Sequence, residues 1–328
     1  MAKLRNVPNI NVAVPKNSIT EEKVHTRVQE PKITIEELAS KIFSGYGVAG
    51  TDADKKEANE AIKKYIKQQI YENPIYNKYN LIFLFDSSTM IKSDADKIYS
   101  AVTQFQEKKP LLMILYSNGG SISSGYLIGK LCREYTGSTF TISIPRHAKS
   151  AATLLCCAAD EIHMGSLSEL GPIDPQINDL PALGLKYSIE HIAKLVKETP
   201  ESAEMFAKYL HYSLKPIDIG YYERVAESAL QYAQKLLETH SDKLPRIAEQ
   251  IAYDLVYTYK DHSFVIDKSD AISLFGDKIV KHNTDEYKLG NKIYQDLIFI
   301  EGMVNYLGYN FYYIGSLDND PVLTKRTT

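Results

Sequence analysis

Two stretches decide the fold: Tyr116-Ser117-Asn118-Gly119-Gly120-Ser121 and, about thirty residues on, Pro145-Arg146-His147-Ala148-Lys149-Ser150-Ala151-Ala152-Thr153. Each follows a short apolar, β-rich run, at residues 110–116 and 139–144. Each opens into small and apolar residues with a helical reading. Working outward, Leu81-Ile82-Phe83-Leu84-Phe85 is a continuous apolar run, as in a strand buried on both faces. An amphipathic helix is predicted over 93–108, and further helices over 121–135 and 150–159. Residues 161–164 read as a short fourth strand. Strands alternating with helices through short links predict parallel strands with right-handed crossovers. In such sheets ligands gather at the carboxyl ends of the strands, where both corners fall.

The flanks are helical or irregular. Residues 1–33 are polar, carry Pro8, Pro15 and Pro31, and read as a flexible arm. Within 34–75, Ile35, Leu38 and Ile42, then Ala58, Ile62, Tyr65, Ile66 and Ile70, recur at helical spacing. Between these two helices, Gly45-Tyr46-Gly47-Val48-Ala49-Gly50 matches the string GxGxxG, but without the preceding strand a dinucleotide fingerprint needs; it reads as a flexible turn. The main domain is placed at 76–282, with a helical insertion at 180–260 whose helices are predicted at 187–197, 202–212, 219–239 and 245–259. Residues 262–266 read as an edge strand returning to the sheet. Residues 283–328 read as a tyrosine-rich tail, loose over its last ten or so residues.

At 328 residues, 44% hydrophobic, 24% charged and net charge −3, the composition is that of a soluble globular protein. There is no basic field to suggest a nucleic-acid partner. No apolar run is long enough to span a bilayer, and the N-terminus has no apolar signal core, so a cytoplasmic location is expected. Cys132, Cys156 and Cys157 sit among apolar neighbours and read as buried thiols. Neither a metal-ligand spacing nor GxxxxGK[ST] occurs, so neither metal nor cofactor is expected.

The chemistry is concentrated in the two corners. Gly119 and Gly120 permit a sharp turn and let the Gly120 N–H approach an oxygen unobstructed. Ser150 begins the next helix, and the Ala151 N–H beside it is a second candidate donor. Taken singly, a tight turn and an ordinary N-cap serine explain these residues. Taken together they are equipment for holding a carbonyl and attacking it.

The series Asn118-Gly119-Gly120-Ser121, Ala148-Lys149-Ser150-Ala151-Ala152-Thr153-Leu154, Ala159-Asp160-Glu161-Ile162 and Gly165-Ser166-Leu167-Ser168-Glu169-Leu170-Gly171-Pro172-Ile173-Asp174-Pro175-Gln176 resembles the serine dehydrogenase proteinase family. That family belongs to the Clp-protease/crotonase-like superfamily, with signal peptide peptidase A as a relative. The resemblance runs over about 81–280 and is densest over 115–176. It implies an α/β fold, a repeated ββα spiral with added N- and C-terminal helices. It also implies Ser150 as nucleophile and Gly119, Gly120 and Ala151 as the oxyanion hole. Where the Clp proteolytic subunit carries its histidine, this chain has Ile173, so the Ser-His-Asp order does not carry over. Against signal peptide peptidase A, Lys215 before Pro216 is the best lysine counterpart, ahead of Lys194, Lys197 and Lys208. A lysine base would have to be desolvated to be neutral. His262 is the rival; it aligns loosely with the segment that carries the aspartate of the Clp subunit and needs no unusual pKa to act. Asp174 is a candidate to orient either base. His147 is expected to pack, and Lys149 to point away from the nucleophile.

The resemblance implies a peptidase acting on peptides or unfolded proteins through an acyl-enzyme on Ser150, in a homo-oligomer (trimer, hexamer or ring), with any unfoldase or adaptor unnamed. Two alternatives are a crotonase-like enzyme acting on acyl thioesters and a non-catalytic interaction module that keeps the fold.

Overall fold

The computed structural model describes residues 32–177, 180–213 and 216–326. All but the last two residues of the expected arm, 1–33, fall outside them. Helices α1 (Ile35–Tyr46) and α2 (Asp52–Tyr71) come first, each started by a capping box, Thr34 with Glu37 and Thr51 with Asp54. The two helices pack closely, while Val48 and Ala49 of the turn between them are exposed. Gly45 lies in α1, and a Cβ there would meet the Asp54 carbonyl oxygen of α2 at 2.7 Å.

Then follow β1 (Asn80–Asp86), α3 (Lys92–Thr103), β2 (Leu111–Ser117), α4 (Ile122–Tyr135), β3 (Phe140–Ile144), β4 (His147–Ala148), α5 (Ala151–Cys156), β5 (Glu161–Met164) and β6 (Glu169–Leu170). A small hairpin, β7 (Gln176–Ile177) and β8 (Leu180–Pro181), leads to α6 (Ala182–Glu198), α7 (Ala203–Ser213), α8 (Pro216–Leu237) and α9 (Ala248–Tyr253). The chain closes with α10 (Lys268–Phe275), β9 (Val280–Lys281), α11 (Asp285–Tyr306), β10 (Tyr309–Ser316) and β11 (Val322–Lys325).

The sheet runs β11-β10-β1-β2-β3-β5-β9, parallel from β1 to β9. The uninterrupted apolar strands follow from burial on both faces. In β1, Ile82 and Leu84 join the core beneath α3, α4 and α5, whereas Leu81, Phe83 and Phe85 join the opposite core with α1, α2 and α11.

After each main strand the chain makes a second, short extended contact before its helix. Met90 bridges Gly120, Ser117 pairs with Ala148, and His147 and Ala148 pair with Glu169 and Leu170, all in parallel. This second row, stepping from one repeat to the next, makes the α/β architecture a repeated ββα spiral. The row carries both corners.

Two expectations are corrected. Residues 283–328 are not a tail. Leu289, Ile293, Leu297, Ile300 and Val304 line the buried stripe of α11, and β10 pairs antiparallel with β1 inside the sheet. Tyrosines obscured the pattern because a ring can lie half-buried with its hydroxyl in water. Residues 262–266 are not an edge strand; β9 takes the edge beside β5, and this segment gives only an antiparallel bridge, Ile266 to Leu170.

Candidate active site

The glycine corner is shaped by backbone. Gly119 and Gly120 have φ of 90° and 141°, a region side chains disfavour. A Cβ on Gly119 would meet the Lys149 carbonyl oxygen at 2.4 Å, and one on Gly120 the backbone of Met90 at 2.6 Å. The first corner is thus pressed directly against the second. The Gly119 carbonyl accepts from Met90 N–H at 2.7 Å, and Ser121 N–H donates to the Met90 carbonyl at 2.9 Å. Gly119 N–H donates to Ser117 Oγ at 3.1 Å. That use corrects the expectation that Gly119 offers its own N–H to a ligand; its part is the turn.

Ser150 is not an ordinary cap. Its φ of 50° and ψ of −114° lie far from the extended conformation of a capping serine, and its side chain makes no capping hydrogen bond. A non-glycine residue held in this region marks stored strain. What holds it is stitched tightly around it. Lys149 N–H donates to the Ser117 carbonyl at 3.0 Å, and Ala152 N–H to the Lys149 carbonyl at 2.8 Å. Thr153 Oγ1 donates to the Ala148 carbonyl at 2.7 Å and accepts from Gly171 N–H at 3.1 Å. Among the described residues neither Gly120 N–H nor Ala151 N–H donates to a protein acceptor. Each corner therefore carries one spare backbone donor, that of Ala151 directly following Ser150 in the chain.

The block 171–176 brings the next groups. Gly171 lets the chain cross the Lys149 side chain, whose Cδ would stand 2.6 Å from a Cβ there. Lys149 Nζ turns away from Ser150 to Glu169, at 2.9 Å, and to the Leu170 carbonyl. Ile173 is fully buried, its N–H donating to the Leu255 carbonyl at 2.8 Å. Asp174 is buried beside it, and burial pushes its carboxyl above the usual range while His262 and Gln176 pull the other way. His262 Nδ1 stands 3.9 Å from Asp174 Oδ2. His262 Nδ1 and Asp174 Oδ1 are both buried without a hydrogen-bond partner. The nearer oxygen, Asp174 Oδ2, accepts from Gln176 Nε2 at 3.1 Å, so the imidazole stands beside the carboxylate without a hydrogen bond to it.

Ser150, Gly119, Gly120, Asn118 and His262 line one cavity of about 660 Å³. The Ser150 residue, the Gly120 corner and the His262 imidazole thus share one concavity, with Ala151 and Asp174 buried just behind its lining. Ser150 and His262 line the same cavity and Asp174 lies beside His262, in the chain order Ser150, Asp174, His262. The aspartate stands next to the position where the resemblance led one to look for the histidine, and the histidine comes from the segment linked to the aspartate.

Lys215 lies outside the described residues. Lys194 and Lys208 pair along their own exposed helices, with Glu198 at 4.0 Å and Glu204 at 2.7 Å. His147 packs at a tilt against Tyr116 with ring centroids 4.5 Å apart, and burial holds its pKa below the ordinary value. The three thiols are buried and free, and burial pushes each upward. Thr153 was missed in the sequence because a threonine inside a helix carries no local mark of the two strands it joins. Among the described residues no helix is long and apolar enough to cross a membrane.

Comparison with known proteins bears on the same segment. Residues 79–203 match the family of ClpP-like SDH-type serine proteinases. This is the family expected from the sequence. The match covers well under half of the chain; it includes both corners, Ser150 and Asp174, and stops before His262. Two uncharacterised proteins of Methanocaldococcus jannaschii are similar. One is 32% identical over 97 residues (30% of this chain, 34% of the relative), the other 34% over 92 residues (28% and 31%). The chain thus spans about a third of the length of these curated relatives. Among solved structures, two mutants of the 1510-N membrane-bound stomatin-specific protease align at 12% identity. One covers 67% of this chain and 85% of its own, with a TM-score of 0.40. The other, in complex with a substrate peptide, covers 76% and 89%, with a TM-score of 0.39.

Proposed function

We propose that the protein is a serine peptidase that cleaves peptides or unfolded chains through an acyl-enzyme on Ser150. The observation that carries this reading is the strained Ser150 turn with its two uncommitted N–H groups, sharing a cavity with His262 and, behind it, Asp174. His262 takes the Ser150 proton as Oγ attacks the carbonyl carbon. Gly120 and Ala151 N–H receive the oxyanion, and Asp174 holds the imidazole through Nδ1 and supports its positive charge. Collapse of the tetrahedral intermediate returns the proton to the leaving amine, and water activated by the same imidazole releases the acyl group. The base is His262 rather than Lys215, because the histidine already faces a carboxylate and works without the desolvation a neutral lysine demands. Assembly as a homo-oligomer (trimer, hexamer or ring) and a cytoplasmic location belong to the same proposal.

The test is covalent labelling. A fluorophosphonate should modify the wild type at Ser150, identified by peptide mass, and should leave Ser150→Ala unlabelled. That variant should lose about 10³-fold or more of peptidase turnover. A wild type that neither labels nor degrades unfolded casein sinks the reading.

A further inference from the structure

The cavity around Ser150 has a wall that the catalytic reading does not use. Val225, Ser228 and Tyr232 of α8 line it, at a spacing that puts all three on one helical face. Opposite stand Ser88, Thr89 and Ile122, from the loop after β1 and the first turn of α4. Among the described residues no aspartate, glutamate, lysine or arginine lines the cavity. The wall is firmly held. Ala226, Ala229, Ala233 and Leu237 of α8 are fully buried in the core. The Tyr232 ring stacks on Tyr126 with centroids 4.5 Å apart. Ser228 Oγ donates to the Arg224 carbonyl at 2.9 Å, so its hydroxyl hydrogen is spent within the helix.

A substrate bound with its carbonyl carbon at Ser150 Oγ and its oxygen at the Gly120 and Ala151 N–H groups must place a neighbouring side chain in this same space. A charged side chain there would lose water and gain no counter-charge, which is costly. A neutral side chain meets methyl groups, a phenol ring and hydroxyls. We infer that the α8 face of Val225, Ser228 and Tyr232 is the side-chain subsite for the residue that supplies the scissile carbonyl, and that it selects uncharged residues. This rests on the peptidase reading. Ser228, exposed at the pocket rim, is the specificity-determining position most open to substitution.

The experiment uses the full chain and fluorogenic peptides that differ only in the residue before the cleaved bond: leucine, glutamine, lysine or glutamate. For the wild type, kcat/KM for leucine and glutamine should exceed that for lysine and glutamate by about tenfold or more. Ser228→Asp should raise the lysine-to-leucine ratio about tenfold and depress glutamate; Ser228→Lys should do the reverse. Opposite shifts from one position distinguish a subsite from a general disturbance, which would move both variants alike. A wild type that cleaves after lysine or glutamate as well as after leucine overturns the inference without reference to any variant. So do two variants whose profiles match that of the wild type. A flat profile from an enzyme that still labels at Ser150 removes only the subsite; a wild type that neither labels nor cleaves removes the peptidase reading beneath it.

Discussion

The spiral corners and the helical insertion are built on opposite principles. At the corners nearly every constraint is backbone against backbone. A Cβ on Gly119 would collide with the Lys149 carbonyl, Ser150 is held at φ 50°, and Ala148, Ala151 and Ala152 are fully buried. The insertion is attached through one face. α7 buries none of its residues, and Met205, Tyr209 and Tyr212 are exposed, while α8 and the short α9 carry buried alanines into the core. The proposed nucleophile and oxyanion hole belong to the first kind of construction. The pocket wall comes from the second, and the proposed base from the loop that follows it. The difference teaches that the chemistry of attack is fixed by close packing, whereas the proton acceptor and the choice of substrate sit where the chain tolerates change.

That contrast can be broken at three points. The largest effect is expected at His262, half-buried and bound to its surroundings through little besides Asp174. His262→Gln should lower turnover about 10²–10⁴-fold while the melting temperature stays near that of the wild type. A loss of stability in step with activity would place His262 among the structural residues and erase the distinction. At the glycine corner the outcome should invert. Gly119→Ala combines a disfavoured φ with a collision against the Lys149 carbonyl, and should cost about 3 kcal/mol by urea denaturation. Full stability in that variant would mean the corner is looser than its contacts indicate.

The smallest effect concerns the junction where the insertion rejoins the core. His240 is buried there beside Arg133, Asp160, Lys243 and Asp242. Burial first, then the Arg133 charge, hold its pKa down at about 4, against an ordinary 6.5. The unfolded chain therefore binds a proton more readily than the folded one between these two values. The contribution of the neutral imidazole is complete above pH 6.5 and is lost as pH falls toward 4, amounting to about 2 kcal/mol by pH 5. His240→Gln should remove that part of the pH slope in denaturation curves recorded from pH 7 to pH 5. An unchanged slope would take His240 out of the account.

The sheet was legible because parallel strands buried on both faces write themselves as continuous apolar runs. Residues 81–85 and 111–116 needed no partner to be recognised. The two corners were legible because a glycine pair and a serine among alanines are local marks of a tight turn and a close-packed helix start, although the crowding that demands them comes from Met90 and Lys149. The terminal helix α11 and strand β10 escaped because tyrosine serves buried and exposed positions alike, so neither period stood out. The wall formed by Val225, Ser228 and Tyr232 has a visible helical spacing, but spacing does not say which face meets a cavity.

The sequence by itself determined the apolar strands, the glycine turn and a serine at a helix start, since each is written in residues within a few positions of one another. The strained φ of Ser150 appears only in the fold, where Ser117 and Gly171 hold the segment around it. Only the tertiary structure decided which titratable groups join the two corners. Asp174 lies 24 residues beyond Ser150 and His262 a further 88, and the two meet 3.9 Å apart because β6 pairs with β4 while Ile266 bridges back to Leu170. A side chain's chemistry is written in the sequence; the neighbour it will face is set by the closing of a sheet, and that depends on the whole chain.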